Sequence, residues 1–180
     1  YGLISKNNIL QLLEQKKKIK RRDFSFLSKI IKYSLRTKIK FFKNDVMEKN
    51  KRLNLNFGHT FAHAIEVKNN YSRNTTHGEA VLAGIILATK LSIIKKICNK
   101  KVLKDIMDIY SKNGLDYTIK KCSKASEIKS LIPFLKNDKK NNDEKINFIL
   151  IKKIGKTALP NEYKISINEL KKKLIYFTQY

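Results

Sequence analysis

The sequence predicts a mainly α fold, a helical domain with a minor short-strand element. Three observations predict it. Apolar residues recur at helical spacing from Ile9 to Leu35. Thr76 and Glu79 form a T-x-x-E capping box ahead of a run, Ala80 to Ala88, that is apolar on nearly every side. Only one stretch, Lys145 to Lys152, alternates with β-branched and aromatic residues in the manner of a strand.

Taken in order, Ile9, Leu12 and Leu13 mark a first helix before a basic run. Asp23 is placed to cap a second, whose packing face reads Phe26, Leu27, Ile30, Ile31 and Leu35. A polar stretch, Asn44 to Lys51, leads into Arg52 to Glu79, where every histidine lies. A helix as apolar as the one behind Thr76 belongs at the buried centre of the domain. Further helices are expected over Val102 to Lys112, stopped by Asn113-Gly114, and over Ser126 to Leu135, interrupted by Pro133. The Asn/Asp/Lys run from Lys136 to Lys145 reads as an exposed loop, and Ser166-x-x-Glu169 announces a last helix.

A chain of 180 residues with 42% hydrophobic content can bury a sizeable core, so one packed domain over residues 1–180 is expected. Its net charge of +25 is spread over lysine runs, while arginine stands only at positions 21, 22, 36, 52 and 73. Arginine is what phosphate and base-edge recognition favours, so this pattern argues against a nucleic-acid module. Cys98 and Cys122 are lone thiols, which fits a reducing, cytoplasmic setting better than a disulfide framework. The apolar run Ala80 to Ala88 is too short to span a bilayer and is followed by Lys90, so no membrane segment is expected. The opening, Tyr1-Gly2-Leu3-Ile4, has no initiator Met and reads as the inside of an apolar element, which implies further chain upstream.

All three histidines, His59, His63 and His77, fall in one short window. His59 and His63 are four apart and share a helix face, a spacing that presents two nitrogens to one ion. His77 follows the Thr76 cap. Zinc accepts neutral imidazole and, in catalytic sites, takes three protein ligands plus an open position, so these residues alone suggest a three-histidine zinc site. Each histidine also has a plain alternative as a satisfied core or surface side chain.

The run Arg52-Leu53-Asn54-Leu55-Asn56-Phe57-Gly58-His59-Thr60-Phe61-Ala62-His63-Ala64-Ile65-Glu66, followed by His77-Gly78-Glu79-Ala80-Val81, resembles the signature of the 3-dehydroquinate synthases. Lys38, the Asp45-x-x-Glu48-x-x-x-Arg52 spacing, Asp138-Lys139-Lys140 and Ile154-Gly155-Lys156 extend the resemblance over nearly the whole chain.

The resemblance implies the helical C-terminal domain of that fold. It makes His59 and His77 ligands of Zn2+ or another divalent cation such as Co2+. The third ligand, a glutamate, and a substrate-binding lysine would lie just upstream of Tyr1, so weak metal retention is expected of this chain alone. His63 becomes an acid/base or phosphate-contacting residue and Glu48 a proton acceptor. Lys38, Arg52, Asn56 and one or both of Lys139 and Lys140, together with His59 and His77, become contacts of a sugar acid bearing carboxylate and phosphate. Fixed cations suit such a dianion: Arg52 as a fork, the lysines as point charges. NAD is implied as a transient oxidant held mainly by a nucleotide-binding domain ahead of this chain, and a homodimer as the assembly. Glu66 and Glu79 read as structural. Ala62 stands where the family pattern has glycine, so it requires room for a methyl group.

Overall fold

The computed structural model describes residues 1–5, 15–43, 45–72, 75–115, 128–135, 145–173 and 176–177. The expected helix at Ile9, Leu12 and Leu13, the loop residues 136–144 and Cys122 lie outside them. A short helix α1 (Lys16–Lys20) leads into α2 (Phe24–Phe42). As the sequence predicts, Asp23 caps α2, its carboxylate accepting the Phe26 N–H at 2.8 Å. The packing face differs from expectation. The covered stripe steps through Phe26, Ile30, Thr37 and Phe41, whereas Ile31 and Leu35 stand 57% and 52% exposed. The helix carries two apolar stripes, and only the first turns toward the domain.

A 3₁₀ turn, Lys51–Asn56, delivers the chain to α3 (His59–Lys68), and the box at Thr76 opens α4 (His77–Ile94). Both halves of that box form: Thr76 Oγ1 accepts the Glu79 N–H, and the Glu79 carboxylate accepts the Thr76 N–H at 2.8 Å. Helix α4 is the buried centre, with every residue from Ile86 to Ile93 buried. It continues well past Ala88 because the polar residues that break the apolar run find partners inside the fold. Thr89 and Ser92 hydroxyls donate to the Ile85 and Ala88 carbonyls, and Lys90 Nζ donates to the Phe177 carbonyl at 2.9 Å. By length and mean hydropathy α4 could cross a bilayer, but 61% of it is buried inside the domain.

Helix α5 (Lys100–Lys112) starts at an Asn99 cap and stops at Asn113-Gly114, where Gly114 adopts φ +75°. Of the segment expected from Ser126, the described part ends in a four-residue helix, α6 (Ile132–Leu135). Pro133 sits in its first turn, where a missing N–H is harmless.

The single strand expected over Lys145 to Lys152 is two. Strands β1 (Lys145–Asn147) and β4 (Lys164–Ser166) pair antiparallel, as do β2 (Ile151–Lys153) and β3 (Lys156–Thr157). Phe148, Ile149 and Leu150 are buried in succession, which breaks the alternation one strand requires. Gly155, at φ +82°, turns the β2–β3 hairpin, and its N–H donates to the Leu3 carbonyl while Ser5 bridges Lys156. The first residues thus lie along this hairpin. Helix α7 (Ile167–Lys173) begins with Ser166 Oγ accepting the Glu169 N–H, while the Glu169 carboxylate reaches Lys95 Nζ at 2.9 Å, just past the end of α4.

Candidate functional site

The site is organised by the contact between α3 and α4. Gly58 precedes α3 at φ +85°, and a Cβ placed on Gly84 would fall 2.1 Å from the Gly58 carbonyl oxygen. Only glycine permits that approach. Ala62, one turn into α3, is fully buried, so its methyl group is accommodated inside the packed domain and not on an open helix surface.

His59 is the first residue of α3, and its ring stands 5.8 Å from that of His63 and 5.6 Å from that of His77, centre to centre. His77, the first residue of α4, has Nδ1 2.9 Å from Glu66 Oε1. A carboxylate can only accept, so Nδ1 is the donor and Nε2 points away from Glu66. Glu66, read from the sequence as structural, therefore orients a site histidine. Eleven residues separate the two, so no local period could reveal the pairing.

Burial lowers the His59 pKa below the ordinary histidine value. The Phe57 backbone opposes the shift, His63 and His77 add to it, and Glu66 opposes it again. The Phe57 backbone is near enough to favour a proton on the ring, yet no bond of sound geometry reaches His59 Nδ1, which is buried without a partner. His59 is thus a neutral imidazole with unmet bonding capacity. Among the described residues no group of three His, Cys, Asp or Glu converges as a complete ligand set, so the three-histidine arrangement does not form. His63 is exposed, one turn along α3 from His59.

On its other side His59 lines a pocket of about 370 Å³, with Lys38 from α2, Glu48, and Arg52 and Asn56 from the 3₁₀ turn. Five of the residues singled out in the sequence therefore meet at one cavity. Asn56 Nδ2 donates to Glu48 Oε1 at 2.6 Å, and the other Glu48 oxygen lies 3.6 Å from Arg52. An i,i+4 ion pair between Glu48 and Arg52 thus faces the pocket. Arg52 also donates to the Val46 carbonyl and lies over the Phe42 ring at 4.7 Å, which fixes its direction. Lys139 and Lys140 lie outside the described residues. The pocket offers two cations to an anion, a carboxylate held by an amide, and a neutral imidazole.

Residues 1–141 match the family model described as 3-dehydroquinate synthase C-terminal. The 3-dehydroquinate synthase of Pelagibacter ubique is 36% identical over 176 residues, 94% of this chain and 47% of the relative. That of Dictyoglomus thermophilum is 39% identical over 160 residues, 88% of this chain and 43% of the relative. The chain thus spans about half the length of the curated relatives it matches. Among solved structures, 2-deoxy-scyllo-inosose synthase complexed with carbaglucose-6-phosphate, NAD+ and Co2+ superposes with a TM-score of 0.67 at 25% identity, covering 82% of this chain and 41% of that one. The 2-epi-5-epi-valiolone synthase from Streptomyces hygroscopicus, with NAD+ and Zn2+ bound, shares the fold at a TM-score of 0.70 and 17% identity, covering 99% of this chain and 48% of that one. By its matched residues and by these relatives, the chain belongs to the 3-dehydroquinate synthase C-terminal family.

Proposed function

We propose that the protein carrying this chain is a 3-dehydroquinate synthase. It converts 3-deoxy-D-arabino-heptulosonate 7-phosphate to 3-dehydroquinate and phosphate in the shikimate pathway, as a carbon–oxygen lyase of aromatic amino acid biosynthesis. Residues 1–180 act as one domain of a longer, cytoplasmic, homodimeric protein. The observation that carries this reading is the gathering of Lys38, Glu48, Arg52, Asn56 and His59 at one pocket, in a chain of this family.

A divalent cation fits the donors present: the unpartnered, buried Nδ1 of His59 and the Glu66-oriented ring of His77. These two residues would hold Zn2+ or Co2+, which when bound supplies Lewis-acid polarisation of a substrate oxygen. NAD would be held mainly by parts of the protein outside this chain.

The chain's own residues take the remaining roles. Lys38 and Arg52 bind the anionic groups, Arg52 with its guanidinium already aimed by Val46 and Phe42. Asn56 fixes one oxygen of Glu48, and the other accepts the substrate proton. His63, exposed beside His59, exchanges a proton at a ring nitrogen with the departing phosphate or a water. One or both of Lys139 and Lys140 add positive charge for the same substrate.

Phosphate release from the heptulosonate phosphate by the full-length protein, with NAD and zinc supplied, tests the assignment. His59→Ala and His77→Ala are expected to lower turnover by on the order of 10³-fold; unchanged turnover in both would overturn the cation assignment. The likeness to 2-deoxy-scyllo-inosose synthase supports a second reading, another sugar-phosphate cyclase. Preference for a hexose phosphate lacking the carboxylate, in the same assay, would favour that reading.

A further inference from the structure

We propose that Asp45 is a positioning residue of this site, holding the 45–52 turn so that Glu48 and Arg52 face the pocket together. The proposal rests on the reading above that those two residues act on substrate. Asp45 is only 8% exposed, and its carboxylate gathers three backbone donors. Oδ1 accepts the Lys49 N–H at 2.9 Å, and Oδ2 accepts those of Asn50 at 2.7 Å and Arg52 at 2.9 Å. One side chain thus spans the segment between the two site residues and ends on the backbone of the second.

What is held is a conformation the chain would otherwise leave. Glu48 adopts φ +53°, a left-handed geometry in which a residue with a long side chain is uncommon. Its own N–H donates to the Asp45 carbonyl, closing the turn from the other side. Non-glycine residues persist in that region when their surroundings over-determine them, and such residues cluster at functional sites. Burial would raise the Asp45 pKa, but the three N–H groups and Arg52 outweigh it and hold the carboxyl below its ordinary value. The acceptor is therefore ionised when the turn needs it.

The consequence is a coupling. Loss of Asp45 should release Glu48 from its left-handed turn and loosen Arg52 at its backbone, lowering kcat and raising KM at once. Glu48→Gln alone should act mainly on kcat, and Arg52→Lys mainly on KM.

The test is a set of double-mutant cycles in the full-length protein, with phosphate release and thermal midpoint both measured. Asp45→Asn should cost on the order of 10²-fold in kcat/KM in the wild-type background. On top of Glu48→Gln, or of Arg52→Lys, it should cost several-fold less, with the thermal midpoint moving equally in all backgrounds. Asp45→Glu keeps the charge and displaces the acceptor by one methylene, and it serves if the asparagine variant does not fold. Equal factors in every background, or full activity with only a lowered midpoint, would overturn the positioning role. Full activity in both Glu48→Gln and Arg52→Lys would instead overturn the site reading, and the positioning role with it.

Discussion

Glu66 and His77 meet across the turn between α3 and α4, carboxylate oxygen to Nδ1 at 2.9 Å, with Glu66 the better buried of the two. An outer carboxylate that fixes the tautomer and direction of a ligating histidine typically matters about 10–100-fold to metal affinity. Glu66→Ala is therefore expected to weaken Zn2+ or Co2+ retention in the full-length protein by about tenfold or more. Glu66→Gln, which keeps an acceptor, should weaken it less. Competitive chelator titration measures both, and equal affinity in all three proteins would count against the orienting role.

The contact at Gly84 makes a sharp prediction for stability. Gly84→Ala would drive a methyl group into the Gly58 carbonyl, backbone against backbone, and should cost about 3 kcal/mol or more. Gly78→Ala, in the first turn of the same helix with nothing within 4 Å, should be neutral or stabilise by about 0.5–1 kcal/mol. Urea midpoints of the two variants decide the matter; similar values would show that the α3–α4 contact gives way easily.

Lys90 offers a test of how the buried centre holds the end of the chain. Its side chain is 2% exposed and donates to the carbonyl of Phe177, itself fully buried. Lys90→Ala removes a large buried stem and deprives that carbonyl of a donor, so a loss of about 2–4 kcal/mol is expected. Hydrogen exchange should rise at residues 176–177 as well as in α4. Exchange rising uniformly across the chain would argue against a local tie.

The Lys95–Glu169 pair predicts a pH signature. The hydrogen bond from Lys95 is the main cause that lowers the Glu169 pKa from its ordinary value of 4.5. A depressed carboxyl pKa contributes stability that is present above the unfolded value and is lost as pH falls through the folded one. With Glu169 side-chain exposure at 38%, solvent screening limits the contribution to about 0.5 kcal/mol. Lys95→Ala should therefore be less stable than the parent at pH 7, with the difference vanishing below the glutamate range. A gap that persists in acid would mean the lysine acts through packing instead.

Much of this was legible locally because the signals are local. The Thr76–Glu79 box, the Asp23 cap and the Asn113-Gly114 stop depend on neighbours three or four residues away, and each appears where the sequence puts it. Lys38, Glu48, Arg52 and Asn56 were nominated by the resemblance of their motif to a known family and not by local spacing, and they share a pocket with His59. What escaped depends on distant partners. Which apolar stripe of α2 turns inward is settled by the rest of the domain, and Ile31 and Leu35 look as buriable as Phe26. The split of the expected strand at Phe148 follows from the packing of Phe148 against Phe61, and the pairing of Ser5 with Lys156 joins opposite ends of the chain. Glu66 reads as a structural acid until the two helices bring His77 to it.

Gly58 resting directly on Gly84 also governs how this site can move. With no side chain between the two backbones, sliding α3 along α4 would press backbone on backbone, so His59 and His77, the first residues of the two helices, are expected to keep their spacing. The opposite wall is built differently: Lys38 rides on α2 and Glu48 on the turn strung from Asp45. A change in cavity width is therefore expected to come from that wall moving relative to His59.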